Sequence, residues 1–186
     1  MNIVGIDEVG RGCWAGPVVA GAVLLKNEIP GLKDSKKLTK QKREALANAI
    51  HKSEANVGIG WVWPEEIDAL GLTESVGLAM KRAIEQIQAP YKEIIIDGNY
   101  NFLPDYPLVR TLIKADDLIP AVSAASIVAK VARDTYMTQI AEQFPGYGFE
   151  QHVGYGTSAH IRALLDLGVS DQHRKSYKPI QKMLVS

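Results

Sequence analysis

The chain has 186 residues, 46% of them hydrophobic, and its 21 Lys and Arg residues balance 21 Asp and Glu residues, so it lacks the global basic charge of many nucleic-acid-binding proteins. This length suits one substantial core and predicts a single domain over residues 1–186 with a short helical and basic C-terminal extension. The single cysteine excludes an intrachain disulfide, and the lack of a signal-like or membrane-spanning apolar stretch predicts a cytoplasmic protein with no membrane partner.

The first half of the chain alternates between extended and helical patterns. Apolar, β-branched runs predict three strands, over residues 2–7, 16–25 and 57–62. Helical spacing and capping residues predict three helices: one over about 40–53 with Thr39 as N-cap, a short one from Pro64 to near Gly71, and one capped by Thr73 that runs to about Gln88.

The second half repeats this alternation. Two further strands are predicted, the apolar run 94–97 and the segment 108–114 after a Pro-containing turn. A long helix is predicted over about 120–144 and a last one over 158–167, with Thr157 as N-cap and Gly168 at its end. This order of elements predicts an α/β fold in which helices pack on one mixed sheet.

Acidic residues follow three of the predicted strands. They are Asp7 with Glu8, Asp97, and Asp116 with Asp117. If these strands are neighbours with matching ends, their carboxylates converge, and such a cluster is electrostatically unfavourable unless cations occupy it. Convergence therefore predicts bound divalent metal. The alternative is that each acid is an independent helix cap or a solvated strand end.

A local basic excess lies between Lys33 and Lys52. This stretch has seven Lys or Arg residues against two acids, Asp34 and Glu44. It is a candidate phosphate-facing patch, and the alternative is an ordinary solvated helix face.

Seven motifs follow one another along nearly the whole chain: Asp7-Glu8-Val9-Gly10-Arg11-Gly12 with Ala15-Gly16-Pro17-Val18-Val19, Asp34-Ser35-Lys36-Lys37-Leu38, Ile96-Asp97-Gly98, Lys114-Ala115-Asp116, Ser123-Ala124-Ala125-Ser126-Ile127-Val128-Ala129-Lys130, and Gly154-Tyr155-Gly156-Thr157. Together they resemble the type 2 ribonucleases H, in particular the ribonuclease HII family. The resemblance implies an RNase H-like fold, a mixed five-stranded sheet flanked by helices, in a monomer.

The resemblance also implies an activity. It is endonucleolytic cleavage of the RNA strand of RNA/DNA hybrids, and nicking of duplex DNA on the 5′ side of embedded ribonucleotides, which leaves 3′-hydroxyl and 5′-phosphate ends. Four catalytic carboxylates, Asp7, Glu8, Asp97 and Asp116, are expected to hold two Mg²⁺ or Mn²⁺ ions during catalysis. Asp116 is chosen as the third residue of the Lys-Ala-Asp triplet, and Asp117 is expected to have no metal role.

The same resemblance implies substrate contacts. Gly10, Arg11 and Gly12 are expected to read the ribose 2′-hydroxyl, and Tyr155 to pack on the next sugar; the alternative for Tyr155 is a half-buried loop tyrosine. Further phosphate contacts are predicted for six residues: Ser35, Lys36, Lys37, Ser123, Ser126 and Lys130. For the last three the alternative is helix capping, small-residue packing and an ion pair between Lys130 and Asp134.

Some positions depart from the family pattern. Cys13-Trp14 follows Gly-Arg-Gly, and Val153 stands where many relatives have lysine. We expect Cys13 to be a small packing residue, and the scattered histidines to form no transition-metal site. The segment 181–184 begins like a sliding-clamp tail but lacks terminal aromatic residues, so no clamp partner is assigned.

Two other functions compete with this interpretation. A four-carboxylate 3′ to 5′ exonuclease also places acids on an RNase H-like sheet, but the Gly-Arg-Gly and Tyr155 motifs argue against it. A non-enzymatic duplex-binding module would use the acids structurally, and metal-dependent loss of substrate distinguishes it from an enzyme.

Overall fold

A computed structural model describes residues 2–33 and 35–184 and contains one mixed sheet. Its strands are β1 (Ile3–Val9), β2 (Val18–Leu24), β3 (Asn56–Val62), β4 (Glu93–Asp97) and β5 (Val109–Leu112). They lie in the order β3-β2-β1-β4-β5, with β1–β2 and β2–β3 antiparallel and β1–β4 and β4–β5 parallel. The predicted mixed five-stranded sheet is confirmed. Asp34, which belongs to one of the seven motifs, lies outside the described residues.

Helices flank the sheet. They are α1 (Lys40–Lys52), α2 (Pro64–Leu70), α3 (Leu72–Ile84), α4 (Ala115–Leu118), α5 (Pro120–Ile140), α6 (Phe149–His152), α7 (Ser158–Leu167) and α8 (Lys178–Leu184). The Thr39 and Thr157 hydroxyls accept the backbone N–H groups of Lys42 and His160, at 3.3 and 3.2 Å, as the capping predictions require. A 3-10 turn (Ser35–Lys37) precedes α1.

Three predicted helix boundaries were wrong. Gly71, and not Thr73, is the N-cap of α3, because the chain passes almost directly from α2 into α3 through this one glycine at φ +81°. This helix ends at Ile84, four residues before Gln88, and α5 ends at Ile140 rather than near Phe144. In both cases a turn with a hydrogen bond from residue i+3 to residue i follows the helix. The Ile87 N–H donates to the Ile84 carbonyl, and the Gln143 N–H donates to the Ile140 carbonyl.

Helices α3 and α5 pack on opposite faces of the sheet. Helix α3 contributes Val76 and Met80 to a core with Val4, Ile6 and Ile96. Helix α5 crosses the other face at Gly5, where an added Cβ would lie 2.2 Å from the Ala121 carbonyl carbon. Because side chains alternate along a strand, odd-numbered β1 residues, Asp7 among them, point towards α5.

A second core lies beyond the sheet, where α5 meets α6, α7 and α8. Beside it three histidines from separate elements are buried: His152, His160 and His173. The rings of His152 and His160 stack with centroids 4.3 Å apart, and the Nε2 atoms of His160 and His173 are 2.9 Å apart. From the sequence alone these histidines are described as scattered, whereas in the fold their rings are in contact.

Helices in the described part of the chain are either too short or too polar to cross a membrane.

The buried histidines predict a loss of stability in acid. Burial lowers the pKa of His160 and of His173 to about 4, whereas a histidine in the unfolded chain titrates near 6.5. The unfolded state therefore binds protons first, so this contribution to stability is complete above pH 6.5 and is lost as the pH falls towards 4. We expect the urea midpoint of the protein to fall over this interval.

Matched variants isolate the contribution. His160→Gln removes one buried titrating group and should flatten the pH dependence of the urea midpoint, whereas His51→Gln removes an exposed histidine and should leave it unchanged. Equal slopes for these two variants would show that the buried cluster is not the source.

Candidate active site

The ends of β1 and β4 bring two predicted ligands together. The strands are parallel and pair Ile6 with Ile96, so the next residues, Asp7 and Asp97, are lateral neighbours about 4.8 Å apart at their backbones. Ile95, two residues before Asp97, packs against Val122 of α5, so both carboxylates lie on the α5 face of the sheet.

A hydrogen bond connects this pair to the third acidic segment. The Asp97 Oδ1 atom accepts the backbone N–H of Ala115 at 2.7 Å. Ala115 is the first residue of α4, and the next residue is the buried Asp116. The preceding Lys114 has φ +59°, in the left-handed region, so the chain turns sharply from β5 into this helix. Ser123 fixes the turn, since its hydroxyl donates to the Asp116 carbonyl at 2.6 Å.

Burial, and then mutual repulsion, disfavour the charged forms of Asp7 and Glu8. Burial raises the pKa of Asp7 to about 8, and the charges of Glu8 and Asp97 add to the effect. Burial also raises the pKa of Glu8, although Arg11, whose Nη1 donates to Glu8 Oε1 at 3.0 Å, opposes this. The cluster carries more negative charge than its surroundings stabilise, which is the electrostatic setting that a divalent cation relieves.

The described side chains do not form a preorganised metal-binding site. Across residues 2–33 and 35–184, no three His, Cys, Asp or Glu side chains are arranged to hold an ion. The carboxylates bind protein donors instead: Asp7 Oδ1 accepts the Glu8 N–H at 2.8 Å, Asp97 accepts Ala115, and Glu8 pairs with Arg11. An all-carboxylate donor set nonetheless fits hard, oxygen-seeking cations.

The Gly-Arg-Gly loop follows directly and contains two different glycines. Gly10 has φ +92°, and a Cβ there would lie 2.4 Å from Nε of the buried Arg133, so the fold itself requires glycine. Gly12 lies outside the left-handed region, and a Cβ there would meet no atom within 4 Å. No contact in the described chain requires glycine at position 12, so an added methyl group there would face open space.

The Arg11 side chain opens onto a cavity of about 300 Å³ beside the acids. Half of this side chain is exposed, and its guanidinium lies 5.5 Å from the Phe102 ring centroid. Asp97, Thr73 and Tyr100 also line the cavity. A positive group, aromatic side chains and one of the predicted acids, Asp97, thus line one recess, which suits a sugar-phosphate chain.

Tyr155 is 40% exposed and lies beside the same loop. Burial of part of the phenol raises its pKa, and the adjacent Cys13 thiol adds to the shift. Lys130 Nζ lies 5.9 Å from the Tyr155 ring centroid while donating to Asp134 at 2.8 Å. Cys13 itself is fully buried, as expected for a packing residue.

The remaining predicted phosphate contacts divide into buried serines and surface lysines. Ser35 and Ser126 join their hydroxyls at 2.9 Å, and a hydrogen bond from Ser126 lowers the pKa of Asp7. These serines therefore lie behind the acids. Lys36 is exposed, and Lys37 pairs with Asp117 at 2.6 Å, which gives that acid a partner away from the other carboxylates.

Comparison with known proteins identifies the family. The family model described as Ribonuclease HII matches residues 4–180. The chain belongs to the ribonuclease HII family. The Ribonuclease HII of Dichelobacter nodosus (strain VCS1703A) is 48% identical over 185 residues, which cover 98% of this chain and 97% of that protein. The chain is therefore a ribonuclease H, an endonuclease that degrades the RNA of RNA/DNA hybrids.

Solved structures agree with the fold. The ribonuclease H2 of Pyrococcus horikoshii OT3 superposes with a TM-score of 0.82 at 25% identity, covering 98% of this chain and 97% of that one. The RNase HII from a PCNA:RNase HII complex of Archaeoglobus fulgidus gives 0.73 at 29% identity, covering 96% of each chain. An RNase HIII, Bst-RNase HIII in complex with Mn²⁺, gives 0.76 at 21% identity over 98% of this chain and 69% of that one, which shows the shared fold.

Sequence reasoning missed two buried arginines that support this ribonuclease HII site. Arg133 donates to the carbonyls of Ala15, Pro17 and Val153, and Arg174 donates to those of Gly16 and Arg11. Both side chains are fully buried. Arg133 stands among mostly apolar and small residues, whereas Arg174 stands in a polar segment, and sequence does not show which distant carbonyls such groups meet.

The two loop glycines give a matched test of substrate approach. Gly12→Ala adds a methyl group that meets nothing in the protein, so the thermal unfolding midpoint should stay unchanged while cleavage of a hybrid falls. Gly10→Ala places a side chain at positive φ against Arg133 and should reduce the free energy of unfolding by at least about 1–2 kcal/mol. Full activity of Gly12→Ala would show that no substrate atom approaches this residue.

Proposed function

We propose that this ribonuclease HII cleaves hybrids, and nicks duplex DNA on the 5′ side of embedded ribonucleotides, through two divalent ions held by Asp7, Glu8, Asp97 and Asp116. The observation that carries the proposal is the in-register pair Asp7 and Asp97, tied through Ala115 to the segment of Asp116. We infer that acids from three parts of the chain form one site, next to a loop in which an added Cβ at Gly12 would meet no protein atom within 4 Å.

The donor set supports Mg²⁺ or Mn²⁺ as the ions. All four proposed ligands are carboxylates, and the buried Asp7 faces two like charges that a cation would neutralise. When bound, the two ions supply a water of lowered pKa and stabilise the departing 3′ oxygen, which gives 3′-hydroxyl and 5′-phosphate products. Bst-RNase HIII, which shares the fold, was solved in complex with Mn²⁺.

The chain's own residues would select and orient the substrate. Gly12 lets the backbone approach the ribose, whose 2′-hydroxyl distinguishes RNA from DNA. The half-exposed Arg11 can contact the adjoining phosphate, and the exposed Tyr155 ring can pack on the next sugar. Lys36 and Lys37 lie on the surface, where they can hold phosphates without reading sequence. Ser35, Ser123 and Ser126, which were predicted as phosphate contacts, are buried. Ser35 and Ser126 share a hydrogen bond and Ser123 donates to the Asp116 carbonyl, so we propose that these serines support the acidic segments.

We assign the enzyme a hybrid or a ribonucleotide-containing duplex as its partner and treat it as a monomer. The Archaeoglobus fulgidus relative was solved with PCNA. In this chain the segment from Gln181 to Leu184 belongs to α8, which the fully buried Ile180 anchors to the second core. We therefore propose no clamp contact through that segment.

Replacement of one acid tests the metal site. Asp97→Asn keeps the size of the side chain but removes a charge and a strong ligand oxygen, so we expect cleavage to fall more than about 100-fold while hybrid binding stays largely intact. Asp105→Asn changes an exposed acid and serves as the matched control. The assay uses one labelled duplex with a single ribonucleotide, in Mg²⁺, in Mn²⁺ and with EDTA.

Three results would contradict this account: near-normal turnover by Asp97→Asn in Mg²⁺, full activity of the wild type in EDTA, or failure to open a circular hybrid. The circular substrate separates an endonuclease from an exonuclease, because it offers no end from which to digest.

Tyr155 provides a test of junction recognition. Tyr155→Ala removes the ring and should lower kcat/KM on a single embedded ribonucleotide by about 5-fold or more, in the range of a lost aromatic contact. Tyr155→Phe keeps the ring and should lose less. A long hybrid serves as the reference substrate, and an unchanged rate for Tyr155→Ala on the embedded ribonucleotide would reject this role.

A further inference from the structure

A chain of hydrogen bonds runs through the buried histidines to the backbone of Tyr155. Ser170 contacts His173 Nδ1 through both its backbone nitrogen, at 3.0 Å, and its hydroxyl, at 2.8 Å. His173 Nε2 is 2.9 Å from His160 Nε2, and His160 Nδ1 is 2.9 Å from the Tyr155 carbonyl oxygen. The contacts link the C-terminal segment, α7 and the Tyr155 turn.

One set of neutral tautomers satisfies every contact. The Ser170 backbone N–H can only donate, so His173 Nδ1 accepts and the ring proton lies on Nε2. That proton points at His160 Nε2, which must accept, so the His160 proton lies on Nδ1 and is donated to the Tyr155 carbonyl. The direction of the whole relay is therefore fixed by a single backbone N–H group.

The third histidine holds the other side of the same turn. His152 Nδ1 accepts the Gly154 N–H at 3.2 Å, so its Nε2 donates to the Tyr147 carbonyl at 2.7 Å. The Gly154 carbonyl accepts the backbone N–H of Trp14 at 2.8 Å, and this bond joins the turn to the loop after Gly12. The backbone on both sides of Tyr155 is thus bound to a buried imidazole.

The turn needs such support. Val153 has φ +45°, an unfavourable conformation for a β-branched residue, and it persists only where surrounding contacts impose it. The Tyr155 ring is 40% exposed, and Cys13 and Lys130 are its neighbours on the protein side. The backbone contacts of the turn therefore help to set its direction.

We propose that His160, oriented by His173, is a positioning residue that sets Tyr155 against the Gly-Arg-Gly loop. The inference rests on the proposed contact of Tyr155 with substrate, and it adds a group that acts on cleavage without touching nucleic acid. His160 is fully buried, so any effect on the substrate passes through its neighbours: the Tyr155 turn, which it holds by a hydrogen bond, and the Trp14 ring, whose centroid is 5.9 Å away.

Two amide substitutions separate the two ring nitrogens. The side-chain nitrogen of Asn lies as many bonds from the backbone as Nδ1, so His160→Asn retains a donor towards the Tyr155 carbonyl. The amide of Gln matches Nε2, so His160→Gln retains an acceptor for His173 and loses that donor. We expect His160→Gln to lower kcat/KM on a single embedded ribonucleotide by about 5- to 10-fold, and His160→Asn by less than about 2-fold.

A double-substitution cycle with Tyr155→Ala shows whether the effect passes through the ring. If His160 acts by positioning Tyr155, His160→Gln should lose its effect once the ring is absent. An equal drop in the Tyr155→Ala background, or equal drops for His160→Asn and His160→Gln, would overturn the proposal.

Amide hydrogen exchange tests the positioning without relying on cleavage. The Thr157 N–H donates to the same Tyr155 carbonyl at 2.8 Å and reports on the turn. It should exchange faster in His160→Gln than in His160→Asn, and equal exchange would overturn the proposal even if the duplex were never cleaved. Should His160→Gln fail to fold, His173→Asn, which removes the donor to His160, replaces it and is compared with His173→Gln, which retains it.

Discussion

The buried guanidinium of Arg133 holds the catalytic end of the molecule together. From the middle of α5 it donates to Pro17 and Ala15 on one side and to Val153 on the other, at 2.8 to 3.0 Å. A buried cation is costly unless its donors are satisfied, so any movement of either loop leaves charged N–H groups without partners. The loop after β1 and the Tyr155 turn are therefore fixed relative to each other through one side chain.

Arg174 applies the same constraint from the C-terminal segment. Its Nε and Nη2 donate to the Gly16 carbonyl, and its Nη1 donates to that of Arg11, which also accepts the Tyr177 hydroxyl at 2.7 Å. The backbone of Arg11 is thus held from inside while its side chain remains half exposed. The two buried arginines leave only the outer surface of the loop free to meet a substrate.

The parts that sequence predicted well are those with local signals. The alternating apolar runs end in Asp7 and Asp97, and parallel pairing of such runs brings their ends together without further information. The arginine contacts could not be predicted in this way, because Arg133 binds carbonyls 116 and 118 positions away and every residue has a carbonyl. The histidine cluster was not predicted for a similar reason, since its members lie on different elements that meet only in the folded chain. Helix α4 has four residues and no periodicity to detect.

Arg11 belongs to the acid cluster as much as to the substrate-facing loop. Its ion pair lowers the pKa of Glu8 against the effect of burial, so it helps keep that carboxylate charged. Replacing Arg11 would therefore change the acids and the proposed phosphate contact at once, and a loss of activity could not be assigned to either. Gly12 has no such double role, because an added methyl group meets nothing in the described protein. Of the residues in this loop, Gly12 thus reports on substrate approach most directly.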